Sequence, residues 1–285
     1  MNAHRPAIIV HGGAGQVLED ALPKRLEGCK QAACAGWDIL GKGGSALDAV
    51  ETAVIVLEDN PLFNAGTGSA LNLLGEVEMD AAIIDGKTLS AGAVAAVKGI
   101  KNPIKLARKI MEDGRHVLLA GEGALSFARQ AGLPECPPES LIVQERRRRW
   151  EKEHGTVGCV ALDGTGWIVA GTSTGGISDK LPGRVGDSPL LGCGTYADEL
   201  GGVSCTGDGE AIIRIVMGKT ALNFVRAGSH PMEAAKKAVA LLEKKTGNQA
   251  GLIIIDRHGR VGYARSTSHM PICVITGHND IVTKS

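Results

Sequence analysis

Apolar positions recur along the chain with two periods, one typical of helices and one typical of strands. The run 7–10 is a short apolar stretch that predicts a buried strand. Apolar residues then recur at helical spacing over 22–40, and again over 47–57. Ser45 precedes this second stripe, and Asp48 stands three residues after Ser45, a pattern typical of a capped helix start. We expect the two helices to pack together on one face of a sheet.

The rest of the chain shows shorter patterns separated by turn-forming residues. Helical spacing predicts helices over 102–112, 123–130, 210–225 and 232–245. Strand patterns predict further strands over 77–84, 89–97, 157–162, 167–172, 252–255, 261–265 and 272–275. This order of elements predicts an α+β fold in which two sheets lie between layers of helices.

Composition narrows the class of protein. A chain of 285 residues with 44% hydrophobic and 22% charged residues fits one large domain over 1–285 with a sizeable core. The formal net charge is zero, so no overall field favours nucleic acid or an anionic membrane. No apolar run approaches about 18 residues, which argues against a membrane-spanning helix. The polar first residues lead straight into a strand, and we expect no signal peptide.

Cysteine usage predicts a reducing compartment, and we expect the cytoplasm. The cysteines are odd in number and show neither a CxxC spacing nor a paired Cys/His cluster, so neither a disulfide framework nor a zinc site is expected. They are Cys29, Cys34, Cys136, Cys159, Cys193, Cys205 and Cys273.

The pair Gly155-Thr156 stands directly before the strand pattern at 157–162 and is a candidate self-cleavage site. A threonine hydroxyl is a poor nucleophile unless a base stands beside it. Cutting the bond between the two residues would free an α-amine with a pKa of roughly 7.7–8.0, which can act as that base. Glycine before the bond tolerates a strained backbone. Taken alone, the pair is more simply interpreted as the opening of a strand.

An amidase with such a nucleophile needs donors for an oxyanion and charges for an amino-acid substrate. Thr206 and Gly207 lie just before the helix predicted from Glu210, and a helix entrance offers free N–H groups. Arg184 and Asp187 share a loop bounded by Gly and Pro, where they could bind the carboxylate and the ammonium of a zwitterion. A surface ion pair between them is the simpler alternative.

Two further segments each have a functional and a plain interpretation. The His11-Gly12-Gly13 stretch is either a backbone-donor loop near a site or an ordinary strand exit. The arginine run 146–149 is either a nucleic-acid patch or, more simply, part of a solvated linker that leads to Thr156, because glutamates flank it. We expect no nucleic-acid binding.

Short motifs recur in a fixed order along the chain. They are HGG at 11–13, NAG at 64–66, GTVG at 155–158, TSTGG at 172–176, GRVGDS at 183–188 and TGDGE at 206–210. In this order they closely resemble the plant-type asparaginase and isoaspartyl peptidase family of N-terminal nucleophile hydrolases, over nearly the whole chain. The resemblance implies a four-layer αββα sandwich, cleaved into an α part (1–155) and a β part (156–285). It also implies a homodimer of such αβ units.

The resemblance implies a role for each residue that matches the catalytic motifs. Thr156 is the expected nucleophile, and its freed amine is the expected base. Thr174 is expected to hydrogen-bond this nucleophile, and Asn64 to orient the amine. Thr206 and Gly207 are expected to form the oxyanion hole.

The resemblance also implies how a substrate and an ion are held. Arg184, Asp187 and the Gly209 carbonyl are expected to hold an aspartyl head group. No catalytic cofactor is implied. A structural sodium ion is implied instead, since carbonyl oxygens suit a hard cation. Its ligands would be the backbone carbonyls of Leu57, Glu58, Asn60, Phe63, Ala65 and Thr67.

The implied reaction is hydrolysis of the β-amide of L-asparagine, and of the isopeptide bond of β-aspartyl dipeptides, through an ester on Thr156. Aspartylglucosaminidases share the fold but carry Asp before the nucleophile, where this chain has Gly155. An uncleaved, weakly active or silent precursor that binds aspartate-like ligands is the alternative. Asp208 stands beside the expected oxyanion donors, where a carboxylate disfavours negative charge unless it is neutralised or faces solvent. We therefore expect Asp208→Asn to keep activity equal or raise it.

Overall fold

Two β-sheets form the centre of the fold. The computed structural model describes residues 4–143, 155–277 and 280–285. Within them, the larger sheet has the strand order β12 (Ile281–Lys284), β11 (Ile272–Ile275), β1 (Ala7–His11), β5 (Val157–Leu162), β6 (Ile168–Thr174), β2 (Met79–Asp85), β3 (Ala91–Val97) and β4 (Leu118–Ala120). The smaller sheet has the order β10 (Val261–Arg265), β9 (Ala250–Asp256), β8 (Gly201–Gly207) and β7 (Thr195–Asp198). Neighbouring strands are antiparallel except β3 and β4.

Helices cover each sheet. On the larger sheet lie α1 (Leu22–Gly41), α2 (Ala46–Asp59), α3 (Pro103–Asp113) and α4 (Gly121–Gln130). On the smaller sheet lie α5 (Gly209–Ile215), α6 (Met217–Arg226) and α7 (Pro231–Thr246). The predicted mixture of helices and two sheets is therefore confirmed.

The core has three parts, and one of them lies between the sheets. Ile9 and Val160 from the larger sheet pack with Ile253 and Ile255 from the smaller one, and all four are fully buried. Removal of this apolar surface from water stabilises the sheet pairing at about 25 cal/mol per Å². Both faces of the central strands are thus covered.

The first two helices form as their sequence predicts. Ser45 caps α2, because its Oγ accepts from the Asp48 N–H at 3.1 Å, and α1 packs along α2. At the other end of α2, the buried Glu58 Oε1 accepts from the Ile104 N–H at 3.0 Å in the first turn of α3. This link ties α3 to the end of α2, directly before the loop that carries Asn64.

Strands β7 and β8 were not predicted. Thr206 and Gly207 end β8, and they lie directly before a helix as predicted, because α5 begins at Gly209. Strand β8 is buried on both faces over most of its length, so it lacks the alternation of apolar and polar residues that marks a half-buried strand. The short edge strands β4 and β12 were missed as well.

The single helix predicted over 210–225 is wrong. The chain breaks it into α5 and α6 at Val216, which has φ 50° and ψ 55°. Apolar spacing continues across the break, so periodicity alone could not locate it.

The arginine run 146–149 lies outside the described residues. Within the described ranges, no helix is both long and apolar enough to cross a membrane.

Candidate active site

Thr156 lies directly before β5, in the middle of the larger sheet, and is 6% exposed. Its hydroxyl donates to the Oγ1 of Thr174 at 3.2 Å. Thr174 is the last residue of the neighbouring strand β6, and it also accepts from the Gly176 N–H at 2.9 Å. The predicted contact between these two threonines is therefore present in the fold.

The carbonyl of Gly155, directly before Thr156, receives two donors. The Asn64 amide nitrogen lies 2.7 Å from this oxygen, and the Thr174 hydroxyl lies 3.0 Å from it. Asn64 is itself oriented, because its nitrogen also donates to the Gly176 carbonyl at 2.6 Å and its oxygen accepts from the Ala70 N–H at 2.7 Å. Two fixed donors on one carbonyl oxygen form an arrangement that stabilises negative charge as it develops there.

The loop after β1 packs against the same peptide bond. Gly13 has φ +99°, and a Cβ built on it would lie 2.9 Å from the Gly155 Cα, so this position requires glycine. The next residue, Ala14, donates its N–H to the Thr206 hydroxyl at 3.0 Å. This loop is thus a backbone-donor loop within the site.

Thr206 and Gly207 reach the site from the smaller sheet. Thr206 is fully buried, and its Oγ1 accepts from the Ala14 N–H, so its own proton is available to another acceptor. Gly207 has φ +135° and lines the cavity beside Thr156. The oxyanion donors expected from sequence therefore lie at the end of β8, directly before the start of α5 at Gly209.

The cavity beside Thr156 brings most of the predicted site residues together. It has a volume of about 10 Å³, room for about one water molecule. Gly155 lines it, so the uncleaved chain itself limits the space for a larger ligand. Its lining is Gly155, Thr156, Thr174, Gly176, Ile177, Arg184, Asp187, Gly207 and Gly209.

Arg184 and Asp187 do not form a surface ion pair with each other. Arg184 instead forms a bidentate pair with Glu210, with N–O distances of 2.9 and 2.8 Å. Asp187 is buried, and among the described residues its Oδ2 has no hydrogen-bond partner. Burial raises the pKa of Asp187 to about 7, although the nearby Arg184 guanidinium lowers it. The site therefore contains a desolvated carboxyl group that a cation would stabilise in its charged form.

Comparison with known proteins places the chain in a family. A family model described as asparaginase matches residues 4–154 and 151–283. The chain belongs to the asparaginase family. The family resemblance inferred from the six motifs is thereby confirmed.

Relatives of this asparaginase-family chain cover most of its length. A plant-type L-asparaginase of Pyrococcus abyssi is 52% identical over 292 residues, which is 93% of this chain and 94% of the relative. An isoaspartyl peptidase/L-asparaginase of Danio rerio is 46% identical over 269 residues, covering 89% of this chain and 87% of the relative. One of Homo sapiens is 47% identical over 270 residues, covering 89% and 88%.

Sequence reasoning missed several charged residues that support the site of this asparaginase-family chain. Asp80 is fully buried on β2, and its carboxylate accepts from the Gly186 N–H at 2.9 Å, which holds the loop carrying Arg184 and Asp187. Lys180 is 2% exposed and donates to the Gly175 carbonyl at 3.0 Å. An aspartate next to the apolar run 81–84 of this strand was the available signal for Asp80.

The loop expected to hold sodium has carbonyls of two kinds. Those of Leu57, Glu58 and Asn60 already accept backbone N–H groups. Those of Phe63 and Ala65 lie in fully buried residues, that of Thr67 lies in a half-buried residue, and none of the three accepts a hydrogen bond from the described part of the chain. Because buried carbonyls are normally satisfied, those of Phe63 and Ala65 fit a hard cation. Among the described side chains, no group of three or more His, Cys, Asp or Glu could hold a metal ion.

Proposed function

We propose that this chain cuts itself between Gly155 and Thr156 and then hydrolyses the β-amide of L-asparagine and the isopeptide bond of β-aspartyl dipeptides. The observation that carries the proposal is the pair of donors, Asn64 and Thr174, on the Gly155 carbonyl next to a buried threonine hydroxyl. The names of the relatives, plant-type L-asparaginase and isoaspartyl peptidase/L-asparaginase, support the same two substrates.

Self-cleavage is an acyl shift followed by hydrolysis. The Thr156 Oγ attacks the Gly155 carbonyl carbon, and the oxyanion that forms is held by the donors from Asn64 and Thr174. The carbon–nitrogen bond then breaks, so the Gly155 acyl group forms an ester with Oγ and the Thr156 nitrogen gains the proton that the hydroxyl has lost. Water hydrolyses the ester, which leaves a carboxylate on Gly155 and a free α-amine on Thr156.

The freed amine makes catalysis at Thr156 self-contained. It takes the proton from Oγ, which attacks the β-carbonyl carbon of the substrate. The Thr206 hydroxyl and the Gly207 N–H stabilise the resulting oxyanion. Ammonia or an amino acid leaves with the proton from the amine, and water then hydrolyses the aspartyl ester to aspartate.

The charged residues of the cavity recognise the aspartyl head group. Asp187 binds the substrate ammonium, the Gly209 carbonyl accepts a further hydrogen bond from it, and Arg184 binds the α-carboxylate. Arg184 then exchanges its pairing with Glu210 for the substrate, at low cost because Glu210 is 55% exposed in its side chain. Removal of Gly155 from the cavity supplies the space that a substrate needs.

The proposal extends to architecture and setting. The contacts of helices with each sheet, and of the sheets with each other, support a four-layer αββα sandwich. Its division into an α part (1–155) and a β part (156–285) follows from the proposed self-cleavage. A homodimer of self-cleaved αβ units and a cytoplasmic location remain predictions. The latter is supported by the seven cysteines, all of which are free.

A sodium ion in the loop 57–67 is part of the same proposal. The ion would satisfy the buried Phe63 and Ala65 carbonyls and would hold the loop that carries Asn64. We expect the melting temperature to fall when sodium is replaced by choline at equal ionic strength, because the ion binds only the folded chain. An unchanged melting temperature would contradict the ion.

The experiment that tests the function follows intact mass and denaturing gels over time, for the wild type beside Thr156→Ala. We expect two fragments in the wild type, with Thr156 as a new N-terminus, and one uncleaved chain in the variant. Cleaved protein is then assayed with L-asparagine and β-aspartyl dipeptides. A wild-type chain that stays intact and inactive would instead support the silent precursor.

A further inference from the structure

A chain of side-chain hydrogen bonds crosses between the two sheets behind Thr156. His11 on β1 lies with its Nε2 2.8 Å from the Ser204 Oγ on β8. The same Ser204 Oγ lies 2.8 Å from the Thr172 Oγ1 on β6. All three side chains are fully buried. None of them has a role in the reaction described above.

The hydrogen bonds of His11 determine which group donates and which accepts along this hydrogen-bond chain. The His11 Nδ1 accepts from the Gly13 N–H at 3.3 Å, so the ring proton lies on Nε2 and is donated to Ser204. Burial lowers the pKa of His11 to about 3, although a hydrogen bond with the backbone of Thr156 raises this pKa. The ring is therefore neutral near pH 7. Ser204 can then donate to Thr172, whose hydroxyl faces the Gly194 carbonyl at 3.4 Å.

Gly158 leaves room for this hydrogen-bond chain because it has no side chain. His11, Gly158 and Thr172 lie in one row across β1, β5 and β6. A Cβ on Gly158 would lie 1.9 Å from the Ser204 Oγ and 2.5 Å from the His11 Nε2. The Ser204 hydroxyl therefore fills the gap left by Gly158, and it locks the smaller sheet onto the larger one at a position close to the nucleophile.

Two members of the hydrogen-bond chain lie on the same two strands, β6 and β8, as the groups expected to take part in the reaction. Side chains two residues apart on a strand point to the same face. The side chains of Ser204 and Thr206 therefore point to the same face of β8, and those of Thr172 and Thr174 point to the same face of β6. The hydrogen bond between Ser204 and Thr172 runs between the strand of the expected oxyanion hole and the strand that contacts Thr156.

We propose that His11, Ser204 and Thr172 are positioning residues that fix the distance between the oxyanion hole at Thr206 and the Thr156 hydroxyl. The inference rests on the proposed function, because it concerns the same reaction. A small displacement of reacting groups can cost about 10²-fold in rate. We therefore expect Ser204→Ala to lower kcat about 10- to 100-fold with little change in KM, since the side-chain hydrogen bonds of Ser204 in the described structure go to His11 and Thr172 and not to Arg184 or Asp187.

Self-cleavage provides an internal comparison for the same variant. Its oxyanion forms on the Gly155 carbonyl, which is held by Asn64 and Thr174 rather than by the smaller sheet. We expect Ser204→Ala to slow substrate turnover much more than self-cleavage. Equal slowing of both processes would overturn a role that is specific to the oxyanion hole.

The Thr172 pair separates positioning from mere stability. Thr172→Val keeps the shape and removes the hydroxyl, whereas Thr172→Ser keeps the hydroxyl and removes a methyl group. We expect Thr172→Ser to retain kcat and Thr172→Val to lose it, whatever their melting temperatures. Thr220→Val is the control, since it removes a hydrogen bond of 2.8 Å from the Thr220 hydroxyl to the Ile215 carbonyl, which is not part of the hydrogen-bond chain between the sheets.

The outcomes distinguish this inference from the proposed function. If Ser204→Ala does not fold, the Thr172 pair decides. An active wild type with unchanged kcat in Thr172→Val would overturn the inference and leave the function intact, as would equal losses in Thr172→Val and Thr172→Ser. A wild type that neither cleaves itself nor hydrolyses either substrate would overturn both.

Discussion

Replacing Asp187 with asparagine should stabilise the folded chain at pH 8 while weakening substrate binding. The buried carboxyl has a pKa near 7, against a reference value of 3.8. The folded chain therefore binds more protons than the unfolded chain between these values, and its stability falls as the pH rises through that window. The neutral Asn does not titrate, so its variant avoids this loss.

The magnitude follows from the size of the shift. At about 1.36 kcal/mol per pKa unit, raising the pKa of Asp187 from 3.8 to about 7 costs the folded state about 4 kcal/mol above pH 7. At pH 5 the cost is about 1.6 kcal/mol, and below about pH 3 it vanishes. Asp187→Asn should thus gain free energy of unfolding over its parent, and the gain should grow between pH 5 and pH 8.

The assay is urea unfolding at both pH values in a Thr156→Ala background, so that every chain keeps the Gly155–Thr156 bond. Asp163→Asn is the control. Asp163 is also buried, but both of its carboxylate oxygens accept hydrogen bonds, for example from the Ala46 N–H at 3.0 Å, so we expect that variant to be destabilised.

Two results would refute the reasoning about Asp187. One is an Asp187→Asn variant that is no more stable than its parent at pH 8, and the other is an equal gain at pH 5 and pH 8. In the cleaved enzyme the same substitution removes a charged hydrogen bond worth about 1.5–3 kcal/mol, so KM for asparagine should rise about 10- to 100-fold.

Other substitutions probe the remaining parts of the site. Asn64→Ala removes one donor from the Gly155 carbonyl and should slow self-cleavage about 10²- to 10³-fold on a gel time course, and an unchanged rate would exclude this donor. Gly13→Ala puts a Cβ 2.9 Å from the Gly155 Cα and should slow self-cleavage with the circular dichroism spectrum retained. Asp208→Asn should keep or raise turnover, because Asp208 caps α5 by accepting from the Ala211 N–H at 2.9 Å and Asn caps equally well. A large loss of turnover in folded Asp208→Asn would contradict that expectation.

The capped start of α2 and the strand after Thr156 were predictable because the residues that decide them are neighbours in sequence. Ser45 lies within one turn of its partner Asp48, and the apolar run after Thr156 marks β5. Strand β8 escaped prediction because burial of both faces removes the alternating pattern. The break at Val216 escaped because apolar periodicity continues across a residue in the left-handed region.

The sequence by itself determined the family, the candidate nucleophile Thr156 and the residue types of the cavity, because each motif is short and local. Only the tertiary structure decided that Arg184 pairs with Glu210, that Asp187 is buried with a raised pKa, and that Ser204 fills the gap at Gly158. These features depend on which loops, strands and helices pack together in the fold. Spacing along the chain carries no record of that packing.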